Sequence, residues 1–61
     1  MKIEARDLKK GMVILSPTAD GKVEELTVRH FYEYDYLVDI GLEGRPSLKG
    51  INRLKVFDVK E

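Results

Sequence analysis

Apolar residues in this chain recur at a spacing of two rather than at the threes and fours of an amphipathic helix. The cleanest run is Tyr36, Val38, Ile40 and Leu42, with Asp39 and Gly41 between them. Successive residues of a strand point to opposite faces, so this run predicts a strand with one apolar side. The chain has 61 residues. A domain of that size buries only about 60% of the surface its unfolded form exposes, which allows one modest core and disfavours a deep catalytic cleft.

The same period divides the rest of the chain. Met1 to Ala5 alternates as a first strand, with Ile3 and Ala5 on one face. Arg6 to Gly11 breaks the pattern and predicts a single helical or 3₁₀ turn, anchored by Leu8 and left through Gly11 at positive φ. Met12 to Leu15 is a short apolar strand, and Asp20-Gly21 predicts a hairpin tip. A long strand starts at Lys22. The three-residue step from Val23 to Leu26 predicts a bulge near Glu24-Glu25, and the phase of Phe31 against Val28 predicts a second break near His30-Phe31. The next turn falls around Glu33-Tyr34-Asp35. Glu43 to Pro46 is a turn, Ser47 to Ile51 a short strand, Ile51 to Leu54 a 3₁₀ turn, and Val56 to Val59 the last strand.

Five to six short strands with tight turns make an all-β protein, a single domain over residues 1–61 built as a small, strongly bent antiparallel barrel. An SH3-like barrel leads, with an OB-like barrel as the alternative. The expected core is Ile3, Leu8, Met12, Ile14, Leu26, Val28, Val38, Ile40, Ile51, Leu54, Val56 and Phe57. Burial and ordering entropy nearly cancel in so short a chain, so association into a homo-oligomer through an edge strand is also expected.

Lys plus Arg equals Asp plus Glu at 11 each, but the balance is uneven along the chain. Residues 1–19 carry +2, residues 20–43 carry −5 and residues 44–61 carry +3. Four bases without an acid, Arg45, Lys49, Arg53 and Lys55, are the candidate contacts to nucleic acid. Charges of this kind also serve simply to solvate turns and pair across strands.

Four of the five aromatics fall together as Phe31, Tyr32, Tyr34 and Tyr36. They point to both faces of a strand, so Phe31 is expected inside and at least two tyrosines outside, either capping the barrel end or forming a recognition edge. The candidate partner-binding residues are therefore Arg29, Tyr32, Tyr34, Asp35 and Tyr36. The segment Tyr34-Asp35-Tyr36-Leu37 resembles the Ala-Leu-Tyr-Asp-Tyr motif of SH3 domains, which implies a groove for polyproline helices. Here the segment follows two or three strands instead of opening the domain, which favours a general interaction edge over proline-peptide binding.

The opening Ala5-Arg6-Asp7-Leu8-Lys9-Lys10-Gly11-Met12-Val13-Ile14 resembles the start of small SH3-like or KOW-type barrels, including the first domain of elongation factor P and short phage or plasmid proteins. That resemblance implies a compact barrel that touches RNA or protein, in the manner of a phage or mobile-element accessory or host-modulating factor.

The sole histidine, His30, lies in a strand with no triad, phosphate loop or calcium-loop spacing around it, and there is no cysteine. A non-enzymatic role with no catalytic residue, cofactor or metal is expected. No apolar run reaches the roughly 20 residues of a membrane span, and no signal-peptide core is seen, so a cytoplasmic protein away from membranes is expected. The expected activity is that of a protein-interaction module. The alternative is a single-stranded DNA- or RNA-binding barrel in which tyrosines stack bases. Tyrosines sharing a face with the basic run would favour the alternative; tyrosines among Glu33, Asp35 and Asp39 would favour a basic protein partner.

Overall fold

A computed structural model describes residues 1–61 and contains β1 (Lys2–Glu4), a 3₁₀ turn (Ala5–Asp7), β2 (Val13–Pro17), β3 (Val23–Tyr34), β4 (Leu37–Leu42), β5 (Arg45–Asn52) and β6 (Val56–Val59). All strand pairs are antiparallel, and they form one six-stranded sheet in the order β1-β6-β2-β3-β4-β5. The fold is all-β. The outermost strands, β1 and β5, do not pair with each other, so the sheet is not closed. Its two ends meet at one corner, where the Ala5 and Arg6 amides donate to the Lys55 and Arg53 carbonyls at 2.7 and 2.9 Å.

The long strand β3 is what divides the molecule. Its first half pairs with β2 from Pro17↔Val23 to Val13↔Thr27, and its second half pairs with β4 from Val28↔Leu42 to Tyr34↔Leu37. The ladder shifts between Val28 and His30, leaving Arg29 as the extra residue. A bulge adds bend and local twist, which lets one strand serve two parts of a folded sheet. The break expected near His30-Phe31 thus lies one or two residues earlier. The bulge expected at Glu24-Glu25 is absent, because β2 and β3 pair without interruption there and Val23 faces solvent.

Side chains on the inner faces meet in one core of Ala5, Leu8, Ile14, Val28, Val38, Ile40, Leu42 and Val59. Ile3, Met12, Leu26, Phe31, Leu48, Ile51 and Phe57 pack against it. Leu54 and Val56, expected inside, are about half exposed. Val56 pairs with Glu4 on the side of β6 opposite Phe57 and Val59, so strand parity turns it outward. Leu54 sits in a turn held by Asn52, whose side-chain oxygen accepts the Leu54 amide at 2.8 Å and whose carbonyl accepts the Lys55 amide at 3.0 Å. This is a hydrogen-bonded turn after a longer β5, not a 3₁₀ segment. The 3₁₀ turn lies at Ala5–Asp7, where it buries Ala5 and brings in Leu8.

The hairpin at Asp20-Gly21 is present: the Gly21 amide donates to the Thr18 carbonyl and Gly21 has φ +84°. The β3–β4 turn falls on Asp35-Tyr36 rather than on Glu33 to Asp35, with Asp35 itself at φ +51°. Aspartate tolerates that left-handed conformation better than most residues, which is how the turn manages without glycine. Along β5 the register slips twice, so that Lys49-Gly50 and Pro46-Ser47 bulge against β4. Two bulges, Pro46 and Lys49 blunt this edge against further pairing.

Candidate interaction face

Strand parity beyond the Arg29 bulge decides which aromatics are presented. Phe31↔Ile40 and Val28↔Leu42 point into the core, so His30↔Gly41, Tyr32↔Asp39 and Tyr34↔Leu37 point outward. Phe31 is half-buried against the core. Tyr32, Tyr34 and Tyr36 are 61%, 44% and 74% exposed, so a tyrosine surface of large, stiff rings stands open to solvent.

Within this face the groups brace one another. A Cβ on Gly41 would run into the His30 ring, because the imidazole lies directly over the bare glycine backbone. The His30 and Tyr32 rings are 5.0 Å apart and tilted by 50°. Tyr34 donates its hydroxyl to Asp39 Oδ1 at 3.1 Å, and the Gly50 amide donates to the same oxygen at 2.9 Å. The Gly50 bulge, with φ +65°, is what aims that amide at β4. The Asp39 carboxylate, by accepting a hydrogen bond from the phenol, holds the Tyr34 pKa above the usual phenol range, with smaller contributions from desolvation and from the charges of Asp39 and Asp35.

The expected partner-binding set is only partly gathered. Tyr32 and Tyr34 share the face; Tyr36 and Asp35 form the adjoining turn. Arg29 is exposed at the bulge, about 20 Å along the strand from Asp35 at ordinary strand rise, and does not join them. Of the acids, Asp39 lies among the tyrosines, Asp35 in their turn, and Glu33 on the opposite side of β3 beside Val38. Asp39, named from the sequence only as one of three acids that could neighbour the tyrosines, is the one that bonds to them. Its signal is its position in the Val38-Asp39-Ile40 alternation, which turns it outward; the tyrosine opposite comes from the pairing of β4 with β3.

The four candidate nucleic-acid bases are dispersed. Arg45 pairs with Glu24, Lys49 leaves β5 beside the Gly50 bulge, Arg53 lies 5.9 Å from the Tyr36 ring centre, and Lys55 lies 5.5 Å from that of Phe57. Only Arg53 reaches the tyrosines, and its amide also donates to the Tyr36 carbonyl at 3.0 Å. Lys55 instead borders an apolar groove of about 370 Å³ between β2, β5 and β6, floored by Ile14, Leu26, Leu48, Ile51 and Phe57. The groove lies where β2 and β6 separate: they pair only at Ile14↔Val59 and Leu15↔Asp58, although β2 runs on to Pro17 and β6 begins at Val56.

No three His, Cys, Asp or Glu side chains gather as metal ligands, and no helix is long and apolar enough to cross a membrane. No family model, no curated protein and no solved structure matches this chain.

Proposed function

We propose that this chain is a small, non-enzymatic protein-interaction module that docks a partner bearing basic side chains on the outer face of β3 and β4. The observation that carries the reading is the environment of the tyrosines. Tyr32 stands opposite Asp39, Tyr34 bonds to it, and none of the five ion pairs of the fold involves Asp39 or Asp35. Exposed aromatic area beside unmatched negative charge suits a cationic protein surface. On this reading the sheet is an SH3-like barrel left open between β1 and β5, and the chain is an accessory or host-modulating factor of the phage or mobile-element kind. It works in the cytoplasm, without a cofactor.

The competing role, binding of single-stranded nucleic acid, calls for the bases and the tyrosines to act together. Arg53 on Tyr36 is the one contact between them, while Arg45 is engaged by Glu24 and Lys55 lies over Phe57 at the groove.

Two measurements test the proposal. Peptides selected from a random display library on the native protein are expected to be enriched in Lys and Arg and to lose binding to the Tyr32→Ala/Tyr36→Ala variant. An amide-shift titration with a short oligonucleotide is expected to leave residues 29–36 and 45–55 unmoved. Salt-sensitive shifts there would reverse the ranking, and selected peptides indifferent to both tyrosines would remove the tyrosine face from the function.

A further inference from the structure

We infer that Asp39, between Tyr32 and Tyr34, is the seat of an arginine side chain of the partner; the inference rests on the interaction role proposed above and specifies its chemistry. The Asp39 carboxylate is held in place, because Oδ1 takes both the Tyr34 hydroxyl and the Gly50 amide. A carboxylate can accept about four hydrogen bonds over its two oxygens. The two donors both use Oδ1, so Oδ2 is left for an incoming donor. The chain supplies no ion-pair partner of its own: Lys2, Arg6, Arg45 and Lys60 are engaged by Asp58, Glu4, Glu24 and Glu25. Lys49, in the β5 bulge that lies across the ladder from Asp39, makes no ion pair with it.

The rings favour arginine over lysine. Tyr32 is directly across the ladder from Asp39, a position where side chains lie about 5 Å apart at Cβ. Its ring is backed by that of His30, which lies over Gly41. A planar guanidinium can lie on the Tyr32 face and still direct N–H groups at Oδ2, whereas an ammonium is a hydrated point charge that must choose between ring and carboxylate. The same pairing is already made within the chain by Arg53 on Tyr36, one turn away.

The test is an amide-shift titration of the labelled full chain with the blocked peptide Gly-Gly-Arg-Gly-Gly, against the same peptide carrying lysine or citrulline. Arginine should move the Gly50, Tyr32 and His30 signals, lysine should bind several-fold more weakly, and the uncharged citrulline should leave them still. Asp39→Asn should weaken the arginine peptide about tenfold or more, the scale of one charge-assisted hydrogen bond, and Tyr32→Leu should weaken it while Lys2→Met does not. A fold check by the spectrum of each variant separates loss of binding from loss of structure. Equal response to arginine and citrulline, or no response at millimolar peptide, overturns the inference. If tyrosine-dependent display peptides are found and the arginine peptide still fails, the interaction role stands and the arginine seat falls. If both fail, both fall.

Discussion

The outer surfaces of the two halves of this sheet solve the problem of surface charge in opposite ways. Across β1, β6, β2 and the start of β3, charges meet in pairs: Lys2 reaches Asp58 at 2.9 Å and Lys60 reaches Glu25 at 3.2 Å. Across the end of β3, β4 and the middle of β5, rings replace pairs and Asp39 is satisfied by neutral donors alone. The first surface is internally matched. The second keeps a charge and exposed aromatic area unspent, which is the pattern expected where another molecule completes the contacts.

The contrast stops at the surface if both halves share one core. Ile40 beneath the tyrosines and Ile14 beneath the ion pairs are both buried in the same cluster. Alanine at either should cost about 2–5 kcal/mol in denaturant unfolding, with protection from hydrogen exchange lost throughout the chain. Loss confined to one half would replace the single core with two separable units. Gly41→Ala comes next. A methyl group there displaces the exposed His30 ring, the far end of a side chain free to swing aside, so a loss of about 1 kcal/mol or less is expected, and most of it should be recovered in the His30→Ala background, where the ring is gone.

Asp39→Asn should have a smaller effect on stability and a distinct one on titration. The Tyr34 pKa is raised, so its contribution to stability is complete below the ordinary phenol value and fades as pH rises through the folded value. With the Asp39 charge removed, the Tyr34 ring signal should titrate earlier, back toward the ordinary phenol range. An unchanged Tyr34 titration would break the link between the ring face and Asp39.

The smallest effect belongs to the paired surface. Lys2→Met is expected to leave the melting temperature almost unchanged at neutral pH, since exposed pairs are screened by water and salt. The hydrogen bond from Lys2, and then its charge, lower the Asp58 pKa. Any benefit is therefore present above the ordinary carboxylate value, about 4, and lost as pH falls through the folded value. The difference between wild type and Lys2→Met should accordingly vanish in acid. A persistent difference there would mean that the aliphatic stem of Lys2, not its charge, is what matters.

Much of the ladder was legible because period-two patterning is local. Val38, Ile40 and Leu42 could be placed on one face from their spacing, and Gly11 and Asp20-Gly21 marked their turns by backbone chemistry alone. Leu54 and Val56 lie outside despite their apolar character, because the turn that Asn52 closes and the parity of β6 decide where they point. Asp39 and Gly41 are, along the chain, only spacers between apolar residues, since nothing local reveals that β3 brings a tyrosine opposite one and a histidine onto the other.

The sequence by itself determined an all-β chain with alternating faces, the positions of most turns, and the segregation of acidic from basic segments, because these depend on neighbours within a few residues. Only the tertiary structure decided that the Arg29 bulge turns Phe31 inward and the tyrosines outward, that Asp39 stands among them, and that the C-terminal bases disperse. Those outcomes depend on which strand lies beside which, and pairing between strands is set by the packing of the whole sheet on one core.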